Sequence, residues 1–64
     1  MEREEILAKI KEKAGGIMPL SAETKLPYRT LYRHFNRGYL GGDQAVVIGK
    51  KYGIDPERLM RSPG

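Results

Sequence analysis

Leu20-Ser21-Ala22-Glu23-Thr24-Lys25-Leu26-Pro27-Tyr28-Arg29-Thr30-Leu31-Tyr32-Arg33-His34-Phe35-Asn36-Arg37-Gly38 is the stretch whose reading decides the fold. It predicts a short helix, a tight turn and a second helix. Pro19 suits the first turn of the short helix, roughly Pro19 to Lys25, because an N–H missing there leaves no bond unmade. Pro27 suits the opening turn of the next helix in the same way. That helix runs to Asn36 or Arg37, and Gly38 marks its end. At roughly 100° per residue, Leu31 and Phe35 form one inward ridge, while Arg29, Arg33 and Asn36 share the opposite face. Tyr28 falls beside the apolar ridge, an angle that favours half-burial, and packing in the core and an outward role stay equally open for it. His34 lies at the inner edge and reads as a packing or surface residue, not a catalyst.

Charge singles out the same stretch. Residues 1–24 carry four basic side chains (Arg3, Lys9, Lys11, Lys13) against five acidic ones (Glu2, Glu4, Glu5, Glu12, Glu23). Residues 25–40 carry Lys25, Arg29, Arg33 and Arg37 with no acid, and three of the four tyrosines. Residues 41–64 carry Lys50, Lys51, Arg58 and Arg61 against Asp43, Asp55 and Glu57. The formal net charge of +4 therefore sits in one sixteen-residue segment. A concentrated positive field with aromatics between the charges suits a phosphate-binding surface, although a basic helix in solvent has the same composition.

The flanks read as further helices. Ile6, Leu7, Ile10 and Ala14 recur at helical spacing from Glu2 to about Ala14, with acids in the first turn and lysines near the end. Gly15-Gly16 closes that helix. After Gly41-Gly42, Asp43 is the expected N-cap of a helix that carries Ala45, Val46, Val47, Ile48 and Tyr52 and stops at Gly53. Asp55-Pro56-Glu57 is a third start signal, for a last short helix holding Leu59 and Met60. No strand, repeat or linker is expected, and residues 61–64 read as a frayed tail. The fold class is all-α: one domain over residues 1–64, a bundle of about five short helices.

Composition narrows the chemistry. There is no Cys and one His, and no spacing resembles a metal cluster, a phosphate loop or a nucleophile–base pair. Neither an enzyme nor a cofactor, metal or small-molecule site is expected. No apolar run approaches the ~20 residues of a membrane span, so a soluble, cytoplasmic protein is expected. A core this small is marginal, which favours sharing it with a second copy. Val46, Val47, Leu59 and Met60 are apolar residues in surplus that either complete the one core or serve a second copy, and on the second reading Val47, Leu59 and Met60 are the expected dimer contacts.

Residues 20–38 resemble the helix-turn-helix of the Cro and lambda-repressor family. Ser21 stands where that family keeps a small residue for close helix packing. Leu26 follows the turn, Leu31 and Phe35 stand at the buried anchors, and Gly38 stands at the exit. Ile48-Gly49-Lys50-Lys51-Tyr52-Gly53-Ile54-Asp55-Pro56-Glu57-Arg58-Leu59 resembles the family's fourth helix, glycine turn and fifth helix. The resemblance covers about Leu20 to Leu59. Two positions depart from it. Lys25 replaces the turn glycine and would have to accept a left-handed backbone, and Pro27 replaces the polar N-cap. Thr30 to Phe35 is also similar to tetracycline-repressor recognition helices, and Tyr28-Arg29-Thr30 with Arg33 is similar to the lactose-repressor type.

The resemblance implies a lambda-repressor-like DNA-binding fold. It places Tyr28, Arg29, Tyr32 and Arg33 at base-reading positions, and Ser21, Lys25, Thr30, Asn36 and Arg37 at backbone-contacting or flanking ones. The implied partner is double-stranded DNA, bound by a homodimer on a palindromic site. The implied role is a Cro-like phage or plasmid transcriptional repressor. A DNA-architectural, packaging or excision factor is one alternative, and a protein-interaction module with a basic helix is another.

Overall fold

The structure, a computed structural model, describes residues 2–61. Four α-helices follow one another: α1 (Glu2–Ala14), α2 (Ile17–Thr24), α3 (Tyr28–Arg37) and α4 (Gly42–Tyr52), and then a single 3₁₀ turn (Pro56–Arg58). The described residues therefore form an all-α bundle of four helices plus one turn of helix. Of the expected frayed tail, all but Arg61 lies outside the described residues.

α1 begins and ends where its dipole and glycine signals place it. The Gly15 and Gly16 amides both donate to the Lys11 carbonyl, at 3.0 and 2.9 Å, and close the last turn. α2 starts two residues before the expected Pro19. Ile17 is buried and draws the backbone into the helix early. Pro19 then occupies the third helical position, where its missing N–H still forfeits no bond within the helix. α3 begins one residue later than expected, with Pro27 as N-cap and its carbonyl accepting the Leu31 amide at 3.1 Å. α4 is capped by Gly41, so Asp43 stands inside the first turn, where the dipole still favours a carboxylate. Asp55 does cap the last element, accepting the Glu57 amide at 3.0 Å, but only three residues turn. Leu40 and Met60 form one isolated parallel bridge, and the Leu40 amide donates to the Leu59 carbonyl at 2.7 Å.

The core consists of Leu7, Ile10, Ile17, Leu20, Leu31, Leu40, Ala45, Ile48 and Leu59, contributed by every helix, by the link between α3 and α4, and by the C-terminal segment. No polar or charged residue is buried among the described residues. Leu59 is fully enclosed. It offers nothing to a second copy, because this small core needs it, and its expected place in a dimer interface is corrected accordingly. Met60 is half-buried against the same cluster.

Candidate nucleic-acid interface

The chain enters α3 through a left-handed turn. Thr24 ends α2 with its hydroxyl donating back to the Leu20 carbonyl at 2.7 Å, and Lys25 follows at φ 60°, ψ 26°. Lys25 is the one described non-glycine residue with positive φ, and its side chain is exposed. Leu26 then turns inward against the core. The Ser21 hydroxyl donates to the Leu26 carbonyl and ties α2 to the turn. This settles what Ser21 does. With its proton committed, the hydroxyl keeps only acceptor capacity, which a phosphate oxygen cannot use. In this structure it is a fastening of the turn.

α3 itself divides into an inward and an outward half. Leu31 is buried, with Thr30, His34 and Phe35 half-buried beside it. Tyr28, Arg29, Tyr32, Arg33, Asn36 and Arg37 are all exposed, which makes two parallel ridges at four-residue spacing. One ridge is Tyr28, Tyr32 and Asn36, and the other is Arg29, Arg33 and Arg37. Of the two places left open for Tyr28, the structure gives it the surface: it is 42% exposed, and Tyr32 is 50% exposed. Leu26, arriving from the turn, packs on the core, and Tyr28 two residues later stands at the surface. The two tyrosine rings stack, with centroids 5.9 Å apart and planes inclined by 28°.

The basic ridge is not uniform. Arg29 and Arg33 make no hydrogen bond or ion pair with any described residue, so their guanidinium forks face outward. Arg37 bends back over the end of the helix, donating from Nε to the Tyr39 carbonyl at 3.1 Å. Its guanidinium lies over the Tyr39 ring, 4.1 Å from the centroid, a stacking that restricts a long side chain. Tyr39 was not legible as part of this surface, because nothing in the sequence places it beneath Arg37. α1 lies alongside, and Glu4 and Lys11 line an open groove with Tyr32 and Asn36. That edge adds one acid and one base and leaves the sign of the surface unchanged.

His34 holds the inner edge. Its Nδ1 accepts the Gly41 amide at 3.2 Å, joining α3 to the start of α4. Burial, and then the nearby Arg37 and Arg33 guanidiniums, hold its pKa below the ordinary histidine value. The neutral ring is the form that keeps a lone pair for Gly41. Among the described residues no group of three or more potential metal ligands comes together, and no helix is long and apolar enough to cross a membrane. No protein-family model, curated protein or solved structure matches the chain.

Proposed function

We propose that this chain binds double-stranded DNA sequence-specifically, laying α3 in the major groove as the second helix of a lambda-repressor-like helix-turn-helix. The observation that carries the reading is the pair of exposed ridges on α3, aromatic and basic, opposite a buried Leu31. An α-helix fits the major groove, and an arginine fork matches the O6 and N7 acceptors of guanine. Arg29 and Arg33 are the forks with no internal partner. The Tyr28 and Tyr32 edges supply apolar contact and hydroxyl donors beside them. Lys25, Thr30, Asn36 and Arg37 border the face and serve the phosphates, which fix register without reading sequence. The role we propose is that of a small Cro-like transcriptional repressor acting at a phage or plasmid operator.

Selection of bound duplexes from random DNA, followed by titration across salt concentrations, tests this. A preferred sequence together with steep loss of binding in salt is the expected result. Indifference to sequence would point to an architectural factor, and the absence of DNA binding to a protein-interaction module. Arg33→Ala is expected to cost about 1–3 kcal/mol of discrimination between the selected site and one with its guanine changed. Arg37→Ala is expected to weaken binding to all duplexes alike and to lower the salt slope by about one phosphate equivalent. Equal losses on selected and random DNA from both variants would remove the base-reading assignment.

A further inference from the structure

α4 presents two faces of opposite character. Ala45, Ile48 and Gly49 are buried against the bundle. On the other side Asp43, Val46, Val47 and Lys50 stand at the spacing of one helical stripe, and all four are exposed, Val46 by 55% and Val47 by 38%. The stripe has an acid at its first position, two valines in the middle and a base at its last. Asp43 and Lys50 make no ion pair with any described residue, whereas neighbouring Lys51 is engaged by Glu23 at 3.4 Å. Glu23, Thr24 and Lys51 border an open depression beside the two valines.

We infer that this stripe is a self-association surface, occupied by α4 of a second copy running antiparallel about a two-fold axis between Val46 and Val47. The charge pattern selects the occupant and the direction. In the antiparallel register Asp43 faces Lys50 of the second copy, Lys50 faces its Asp43, and the valine pairs cover each other. A parallel register sets carboxylate on carboxylate and ammonium on ammonium. The helix dipoles agree, because each N-terminus lies beside the other's C-terminus. Residues matched reciprocally in this way are what an isologous interface requires. One helix per copy buries less than a standard interface, so the association is reversible and concentration-dependent. It needs no DNA, and it stands or falls apart from the function proposed above.

Sedimentation equilibrium of the full chain at low salt, without DNA, provides the test. The wild type is expected to show a reversible monomer–dimer equilibrium. Lys50→Asp places carboxylates at both ends of the stripe and Asp43→Lys places amines at both. Each alone is expected to raise the dissociation constant at least about tenfold. An equimolar mixture of the two variants is expected to associate more tightly than either alone, and D43K/K50D within one chain is expected to restore the homodimer. Circular dichroism of each variant separates lost association from lost helix. Two results overturn the inference: a wild type that stays monomeric at its highest soluble concentration, or a dimer indifferent to both reversals.

Discussion

Lys25 sits in a backbone conformation that its own side chain opposes. The left-handed region crowds Cβ against the following carbonyl by roughly 1–2 kcal/mol, whereas glycine gives up only about 0.5–1 kcal/mol of chain entropy. Lys25→Gly is therefore expected to stabilise the fold by about 0.5–1 kcal/mol, read as a higher urea midpoint with an unchanged slope. His34 gives a second residue-scale expectation. The folded chain takes up this proton only at a lower pH than the unfolded chain does, so between the two values the unfolded state binds more protons. His34's contribution is complete above about pH 6.5, the unfolded value, and is lost as the pH falls through the lowered folded one. Protonation also removes the acceptor of the Gly41 amide. Wild type is expected to lose stability between about pH 7.5 and 5.5 by more than His34→Gln does in parallel denaturations.

Among the elements, the tightest constraint is where α4 meets the C-terminal segment. Gly49 is buried, and a Cβ there would stand 2.5 Å from the Ile54 carbonyl oxygen and 3.4 Å from Pro56. That carbonyl is backbone, held in place because the Ile54 amide donates to the Gly49 oxygen at 2.8 Å. Gly49→Ala is expected to cost about 2–3 kcal/mol or more, checked by thermal melts beside Gly53→Ala as a left-handed-turn control. α1 was legible from Glu2 to about Ala14, because dipole charges, apolar period and glycine stop agree there. α3 was legible in its outward arginines for a similar reason. The start of α2 was not. Pro19 looks like a first position, yet a proline fits anywhere in the first turn, and only tertiary burial of Ile17 distinguishes them. The three start signals at Asp55-Pro56-Glu57 were genuine, but start signals carry no information about length, and Leu59 turns inward before a second turn can form.

Across the whole molecule, sequence reading located the positive field but not all of its internal ties. A helical wheel places Tyr28 by angle alone and takes no account of where the core stops, so it could not decide between core and surface for Tyr28. Nor could it foresee that surplus apolar residues divide unequally. Leu59 went to the core and Val46 and Val47 to the surface, on the side of α4 opposite its buried Ala45, Ile48 and Gly49. The most distant tie is Arg3. Its Nε donates to the Gly38 carbonyl at 2.9 Å and its Nη1 to the Met60 carbonyl at 2.9 Å. Arg58 adds an ion pair to Glu2. One guanidinium thus joins the first turn of the chain, the exit of α3 and the last bridge. During synthesis on a ribosome, the Gly38 bond needs only the first 38 residues, whereas the Met60 bond must wait until residue 60 has emerged. The N-terminal turn and the C-terminal segment, joined also through Glu2 and Arg58, therefore close on each other only when nearly all of the described chain has been made.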